Sequence, residues 1–358
     1  MNESWADFSA HGMLSTSAEQ TPFLHSLQKS PNAVTGNTVV PVFGSGTCCS
    51  EFEALTGASY LFNLVTSPYA AYSYQGMPSL ANQFNQMGYD TTALHLLLPT
   101  NWSRNSGYPR MGFDHFIHME NAEGAASNDF IRGYASDLHS FSLVRDTLTQ
   151  GSAPQFVFCV TIQNHGSYTV KDYPAQVQLA DQPGKYPMAE QYLTLANKTD
   201  EAFKTLVDYF SQCDEPTIIV MFGDHQPSVE QEFLDKAYGV TQDQMTMEQY
   251  MDKYKTPFLI WANYDLPDDQ IPTSSLNFLG QYLLSYAGIE ASTYENYLTD
   301  FQQKLPAMTF VGYVDANGKA YSHLETNDYT SMIEDYRTFA YDNLFGGQTR
   351  HAQYYQAP

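Results

Sequence analysis

The chain alternates, over most of its length, between amphipathic helical patterns and the short apolar runs typical of buried strands. Apolar residues recur every three or four positions from Tyr192 to Phe210, and the β-branched run Thr217–Val220 follows. The same reading gives helices at 79–87, 136–150 and 275–286, and strands at 91–98, 155–161 and 257–261. Because parallel strands need long crossover connections, this order predicts an α/β fold with helices layered on both faces of a mostly parallel sheet.

The pattern changes after about residue 290. Met308–Val314 and Lys319–Ser322 flank an Asn-Gly turn, which predicts an antiparallel hairpin, and a helical pattern runs from Asp328 to Leu344. We therefore predict a large α/β domain over residues 1–290 and a small α+β subdomain over residues 291–358.

Composition limits the possible partners. Sixteen basic and thirty-nine acidic residues give a net charge of −23, which opposes binding to nucleic acid or to an anionic membrane surface. An anionic substrate must then be held by local cations or by a metal ion. The four cysteines have no metal-binding spacing, and no apolar run approaches the eighteen residues of a membrane span.

Two metal-ligand side chains follow one of the predicted strands directly. Asp224 and His225 come just after the Thr217–Val220 strand, at the edge of the sheet where open α/β folds place their active sites. A hard carboxylate oxygen beside an imidazole nitrogen suits Mn²⁺, Mg²⁺ or Zn²⁺. The pair predicts half of a metal site.

A second candidate is the segment Gly44–Gly57, in which two glycines lead into Thr47 and a short helical pattern. A hydroxyl at a helix N-terminus is well placed to attack or bind phosphate. Taken alone, however, Thr47 with Glu51 four residues later favours a helix cap.

Histidines mark the ends of two further strands. His95 ends one, with Trp102 and Arg104 shortly after it, and His165 follows another. A single histidine is more often structural than catalytic. Three strands that each end in a histidine nevertheless favour one shared site, in which a cation, an imidazole and an indole bind an anionic, partly apolar group.

These segments, in this order, resemble a known family. The motifs are Asn-Glu-Ser at residue 2, Gly-x-Gly-Thr-x-x-Ser-Glu-Phe-Glu-x-Leu-Thr-Gly from Gly44, His-x6-Trp-x-Arg-Asn from His95, Gln-Asn-His at residue 163 and Phe-Gly-Asp-His-x-Pro from Phe222. The chain resembles the lipoteichoic acid synthase and phosphoglycerol transferase branch of the alkaline phosphatase/sulfatase superfamily. The resemblance spans almost the whole chain.

The resemblance implies roles for individual residues. Glu3, Thr47, Asp224 and His225 fall on the family's metal ligands, with Mn²⁺ the expected cation, and Thr47 also falls on its nucleophile. The phosphoglycerol-binding positions are matched by His95, Trp102, Arg104 and His165. Leu97 departs from the pattern, since the synthases often carry a polar or acidic residue there, and this leaves glycerol-hydroxyl recognition open.

The resemblance also implies a reaction and a location. The expected donor is a phosphatidylglycerol-like lipid, the acceptor a glycerolphosphate polymer or a glycan, and the intermediate a phosphoglycerol-threonine ester. A metal-dependent phosphodiesterase or sulfatase-like hydrolase and a phosphoethanolamine transferase stay open as alternatives. The family's catalytic domain lies on the extracellular face of the bacterial cytoplasmic membrane, anchored by preceding transmembrane helices. We expect those helices, and the strand that should lead into Glu3, to lie upstream of this sequence.

Overall fold

A computed structural model describes residues 1–122, 129–171, 173–267, 271 and 273–356. The strands are β1 (Ala33–Val39), β2 (Asp90–His95), β3 (His115–His118), β4 (Phe130–Ile131), β5 (Tyr134–Ala135), β6 (Gln155–Cys159), β7 (Ile218–Phe222), β8 (Lys255–Ala262), β9 (Ser274–Ser275), β10 (Ala307–Met308), β11 (Gly312–Val314) and β12 (Ala320–Ser322). The helices are α1 (Pro22–Leu27), α2 (Thr47–Thr56), α3 (Pro68–Tyr72), α4 (Leu80–Gln86), α5 (Arg104–Arg110), α6 (Asp137–Gln150), α7 (Pro187–Phe210), α8 (Gln231–Tyr238), α9 (Met247–Asp252), α10 (Leu279–Tyr286), α11 (Thr293–Gln302) and α12 (Thr330–Phe345).

The predicted α/β fold is confirmed. The central strands form two blocks, in the order β3-β2-β6 and β7-β8-β1-β9. Strand β2 is parallel to both of its neighbours, and β1 is parallel to β9. The exception is β8, which the sequence did not distinguish and which runs antiparallel to β1 and to β7. The sheet is therefore mostly parallel, with one antiparallel strand inside it.

The first two residues of the chain lie between the two blocks. The Met1 nitrogen donates to the Cys159 carbonyl oxygen, and Thr161 N–H donates to the Met1 carbonyl oxygen. On the other side, Asn2 forms a parallel bridge with Gly223. This short pairing brings Glu3 to the carboxyl ends of β6 and β7.

Apolar side chains fill a layer on each face of the sheet. One layer gathers residues of α6 and α7 with Trp5 and Phe233, and the other gathers residues of α2, α4 and α10 with Ile260. Each helix buries its apolar stripe against the sheet, which is the main favourable term in folding.

Strand β1 was missed by the sequence patterns, because Gly36 and Asn37 in its middle are typical of turns. The structure explains this glycine. A Cβ atom on Gly36 would lie 2.6 Å from the Phe258 ring on β8, so any larger residue would push the two strands apart.

The predicted C-terminal hairpin is present as part of a three-stranded antiparallel sheet, β10-β11-β12. Together with α11 and α12 it encloses a separate apolar cluster that includes Leu298, Tyr313 and Tyr336. The domain boundary at residue 290 stays a prediction. Within the part of the chain that the structure describes, no helix combines the length and apolar content needed to span a bilayer.

Candidate active site

Two carboxylates and an imidazole meet at the carboxyl edge of the sheet. Glu3, Asp224 and His225 are all buried, and each offers one ligand atom within 4.8 Å of the others. His225 Nε2 lies 3.6 Å from Glu3 Oε1 and 3.3 Å from Asp224 Oδ2. The structure therefore brings together three of the four predicted metal ligands.

Backbone contacts orient these side chains. Asp224 Oδ1 accepts hydrogen bonds from Ser4 N–H at 2.7 Å and from His225 N–H at 2.8 Å. His225 Nδ1 lies 2.9 Å from the Gln226 carbonyl oxygen, which requires an N–H at Nδ1 and turns Nε2 toward the carboxylates. Asp224 Oδ2 is left buried, with no hydrogen-bond partner among the described residues.

The electrostatics fit a bound cation. Burial raises the pKa of the Asp224 carboxyl, and the nearby Glu3 carboxylate raises it further. Burial alone would lower the pKa of the His225 imidazole, but Asp224 and Glu3 outweigh it and raise that pKa. A buried carboxylate oxygen without a partner, beside a second carboxylate and an imidazole nitrogen, is a donor set suited to a divalent metal ion.

Thr47 is the first residue of helix α2, and it does not cap that helix. The N-cap is Gly46, whose φ of 94° lies in the left-handed region and brings the chain sharply into the helix. The helix has no side-chain capping hydrogen bond, and the Thr47 hydroxyl instead donates to Glu3 Oε2 at 3.4 Å. The capping role that this segment alone favoured is therefore wrong. The hydroxyl belongs to the carboxylate cluster.

A cavity of about 450 Å³ opens above this cluster. Asp224 lies buried beneath it, and all the other predicted site residues line it. These are Glu3, Thr47, His95, Trp102, Arg104, His165 and His225. Leu97, the departure from the family pattern, also lines it. Residues as far apart in sequence as Glu3 and His225 thus share one site.

His95 and Arg104 form the buried wall of the cavity. His95 Nδ1 lies 2.9 Å from the Val160 carbonyl oxygen, and burial, helped by the Arg104 charge, lowers the pKa of His95 to about 3. The imidazole is thus neutral and carries its proton on Nδ1, so Nε2 can accept a hydrogen bond. Trp102, 38% exposed with φ at 56°, lies at the rim.

Glu51 positions Arg104, a role that the sequence analysis missed. Its carboxylate, fully buried on α2, accepts bonds from Arg104 Nε at 3.1 Å and from Arg104 Nη2. Tyr69 and Tyr108 donate their hydroxyls to the same carboxylate, at 2.8 and 2.6 Å. Glu51 was interpreted as part of a helix cap. The sequence alone carries no sign that separates this role, because α2 also contains a second glutamate, Glu53.

His165 lies on an exposed loop that is held by another missed residue. Arg132 donates to the carbonyl oxygens of Gln163, His165 and Ser167, at 3.0, 2.8 and 2.9 Å. Its guanidinium also lies 5.4 Å from the centre of the Tyr168 ring. These contacts fix the course of the loop, although His165 itself is exposed.

Comparison with known proteins gives a family match and a sequence relative that extend over most of the chain. The sequence profile of the sulfatase family matches residues 1–289. A protein of Rhizobium meliloti (strain 1021) named for cyclic β-1,2-glucan modification is 30% identical over 359 residues, covering 97% of this chain. The chain spans about half of that relative's length, 54%.

Solved structures share the fold. The phosphoglycerol transferase GacH of Streptococcus pyogenes, solved with sn-glycerol-1-phosphate, superposes with a TM-score of 0.79 at 19% identity, covering all of this chain and 88% of its own. The lipoteichoic acid synthase LtaP of Listeria monocytogenes gives a TM-score of 0.66 at 14% identity, covering all of this chain and 91% of its own.

Proposed function

Since the chain belongs to the sulfatase family, we propose that it is a metal-dependent phosphotransferase that moves glycerol phosphate from a phosphatidylglycerol-like lipid to an acceptor hydroxyl. The observation that carries this proposal is the Thr47 hydroxyl. It lies at a helix N-terminus, donates a hydrogen bond to Glu3, and lines the same cavity as the guanidinium of Arg104. The fold shared with GacH and LtaP supports the choice of phosphoglycerol.

Glu3, Asp224 and His225 would hold the divalent cation, with Thr47 as the fourth ligand and Mn²⁺ as the expected metal. When bound, such a cation lowers the pKa of a coordinated hydroxyl and neutralises charge on a phosphoryl group. In a protein of charge −23 it also supplies the local positive field that an anionic donor needs.

The reaction has two displacements. Thr47 Oγ1 gives up its proton and attacks the phosphorus of the donor, an Oγ1–P bond forms, and the bond from phosphorus to the diacylglycerol oxygen breaks. The leaving oxygen takes up one proton, which balances the one that Thr47 lost, and diacylglycerol departs. An acceptor hydroxyl then gives up its proton and attacks the same phosphorus, the Oγ1–P bond breaks, and Thr47 Oγ1 takes a proton back. Arg104 and His165 would stabilise the charge that builds on the phosphoryl oxygens.

The neutral His95 suits the glycerol part of the substrate. Its Nε2 can accept a hydrogen bond, because Nδ1 keeps its proton for the Val160 carbonyl oxygen. It would therefore bind a glycerol hydroxyl, and Trp102 would cover the apolar carbons. This arrangement would supply recognition that Leu97 cannot give.

The acceptor is a glycan or a glycerolphosphate polymer, and the name of the Rhizobium relative favours a glycan. The site would operate on the extracellular face of the cytoplasmic membrane.

The first prediction concerns the nucleophile. With Mn²⁺ and a fluorescent phosphatidylglycerol, the protein should release diacylglycerol, and Thr47→Ala should lower the rate by about a thousandfold or more because no alternative nucleophile is activated. Thr338→Ala, on the surface of α12, is the control and should be unaffected. Release by Thr47→Ala at the parent rate would exclude the mechanism.

The products distinguish the alternatives in the same assay. Glycerol phosphate linked to an added glycan or polymer supports the transferase. Free glycerol phosphate in the presence of acceptor would indicate a hydrolase, and turnover of phosphatidylethanolamine alone would indicate phosphoethanolamine transfer.

The second prediction concerns the metal. Asp224→Asn and His225→Ala should each weaken Mn²⁺ binding by about tenfold or more in calorimetry, because each variant loses a direct ligand. Asp200→Asn is the matched control: its buried carboxylate binds the N–H groups of Phe23 and Leu24, and its loss should leave Mn²⁺ affinity unchanged. Equal affinity in all three variants would exclude this site.

A further inference from the structure

A network of buried polar side chains adjoins the carboxylate cluster but takes no part in the proposed reaction. Its members are Asn2, Asp137, Gln163, Asn164 and Thr199, each at most 1% exposed. None of these five lines the active-site cavity. Since a buried polar group costs free energy unless it is hydrogen-bonded, a network of this size has to be fully connected to be tolerated.

Asp137 is the acceptor at the centre of this network. It is the first residue of α6, and its Oδ2 accepts hydrogen bonds from Asn2 Nδ2 at 3.0 Å and from Thr199 Oγ1 at 2.5 Å. The Asp137 N–H donates to Gln163 Oε1 at 3.1 Å. Asp137 is therefore bonded at once to the N-terminal segment, to α7 and to the segment that follows β6.

Asn164 closes the network into a ring. Its Nδ2 donates to Thr199 Oγ1 at 2.9 Å and to Asn2 Oδ1 at 3.3 Å. Together with the two bonds to Asp137, these contacts form a closed ring of four side chains, the Asp137 ring: Asp137, Thr199, Asn164 and Asn2. Displacing any one member breaks two hydrogen bonds inside a buried volume, so the ring holds its members in place.

Two members of the Asp137 ring directly precede residues of the candidate active site. Asn2 precedes Glu3, and the Asn2 carbonyl oxygen accepts a hydrogen bond from the N–H of Asp224 at 3.3 Å. Asn164 precedes His165, and these two ring members are 162 positions apart in sequence. The ring thus joins the segment that carries a predicted metal ligand to the segment that carries a predicted phosphate-binding imidazole.

We propose that Asp137 is a positioning residue that, through this ring, fixes Glu3 and His165 relative to each other. It acts by holding Asn2 and Asn164 and does not touch the substrate. The inference rests on the proposed function, which gives Glu3 its role at the metal and His165 its role at the phosphoryl group. Residues that orient a metal ligand from behind typically contribute about ten- to a hundredfold to metal affinity or activity.

The first measurement is Mn²⁺ binding by calorimetry. Asp137→Leu removes the acceptor oxygen, and Thr199→Val removes the hydroxyl at nearly unchanged volume. Each should weaken Mn²⁺ binding by about tenfold or more. Asp137→Asn keeps one oxygen that can accept from both Asn2 and Thr199, so its affinity should stay close to that of the parent protein.

Thr194→Val is the matched control for Thr199→Val. Thr194 is also a buried threonine on α7, but its hydroxyl accepts hydrogen bonds from the N–H groups of Gln176 and Val177, outside the Asp137 ring. Its replacement removes a buried hydroxyl from the same helix and should leave Mn²⁺ affinity unchanged.

The second measurement is hydrogen exchange followed by mass spectrometry, without metal or substrate. The N–H groups of Glu3 and His165 are both hydrogen-bonded, to Thr161 Oγ1 and to the Ile162 carbonyl oxygen. In Asp137→Leu and Thr199→Val, the segments around Glu3 and His165 should both exchange about tenfold or more faster. In the Thr194 control, both segments should exchange as in the parent protein.

Three results would overturn the proposal. One is parent Mn²⁺ affinity and exchange in both Asp137→Leu and Thr199→Val; should Asp137→Leu fail to fold, Thr199→Val alone decides. Another is a loss in Asp137→Asn as large as in Asp137→Leu. The third is a loss in Thr194→Val as large as in Thr199→Val, which would indicate a general loss of stability. The exchange measurement needs no metal, and Mn²⁺ binding by the parent protein tests the proposed function separately, so the two failures are distinguishable.

Discussion

At the scale of single residues, the Glu51–Arg104 pair decides how the cavity presents its positive charge. Both side chains are almost wholly buried, and the carboxylate receives four donors from three residues. Burial alone would raise the pKa of Glu51, but the Arg104 charge outweighs it and lowers that pKa, so the carboxylate stays charged. Arg104 is therefore fixed in orientation before any substrate binds, and it pays no further ordering cost.

The third prediction follows from this pair. Glu51→Gln leaves the buried guanidinium without a counter-charge, so the free energy of unfolding should fall by about 3–5 kcal/mol. Urea denaturation measures it. Glu190→Gln is the matched control. Glu190 is a buried glutamate on α7 whose carboxylate accepts hydrogen bonds from the backbone N–H groups of Leu179 and Gly184 and a long one, 3.5 Å, from the Gln178 side-chain amide. Its replacement should lower the free energy of unfolding by about 1–2 kcal/mol. An equal fall in the free energy of unfolding in both variants would show that the ion pair contributes no more to stability than hydrogen bonds to backbone N–H groups.

At the scale of elements, the N-terminal segment is tied to helix α1 by one histidine. His25 Nε2 lies 2.8 Å from Asp7 Oδ2, next to the short 3-10 helix Phe8–His11, and His25 Nδ1 contacts Glu19. The Asp7 hydrogen bond, with that of Glu19, raises the pKa of His25 to about 9 against the opposing effect of burial. The segment that leads away from Glu3 is therefore held by a charge that depends on pH.

The fourth prediction takes its sign from that shift. The folded state holds the His25 proton up to about pH 9, whereas the unfolded chain releases it near 6.5. The stabilisation is complete below pH 6.5 and is lost as the pH rises through 9. Urea unfolding at pH 6, 7.5 and 9.5 should show the difference between the parent protein and His25→Gln shrinking across this range. A difference that is constant with pH would contradict the assignment.

Elements also show where sequence patterns succeed and fail. The α7–β7 unit was predicted closely, because a long amphipathic period followed by a β-branched run has one simple interpretation. Strand β1 was missed because its glycine is required by the Phe258 ring, a neighbour about 220 positions away. Local pattern cannot report such a contact.

At the scale of the whole molecule, charge opposes the proposed substrate. A net charge of −23 repels a vesicle of anionic donor lipid, and in the proposed reaction the attraction comes from Arg104 and a cation bound at the carboxylate cluster. The proposed reaction would therefore run against the long-range field of the chain.

The fifth prediction tests this balance. Raising the salt concentration from about 0.01 M to 0.15 M shortens the Debye length from about 30 Å to 8 Å and should raise kcat/KM on vesicles rich in phosphatidylglycerol by several-fold. On vesicles in which a zwitterionic lipid dilutes the donor, the gain should be smaller. A fall with salt on the anionic vesicles would show that a local basic surface dominates binding.

The sequence by itself determined the α/β class and the C-terminal hairpin, which follow from periodicity and turn chemistry, both local properties. It also placed Asp224 and His225 just after a strand, and the order of its motifs, through the family resemblance, supplied the other site residues that line the cavity. Only the tertiary structure decided that Thr47 faces Glu3 rather than capping its helix, that Glu51 holds Arg104, and that β8 runs antiparallel to β1 and β7. Each of these depends on which distant segments share a buried volume, where an unpaired polar group or strand edge costs free energy, and that is a property of packing.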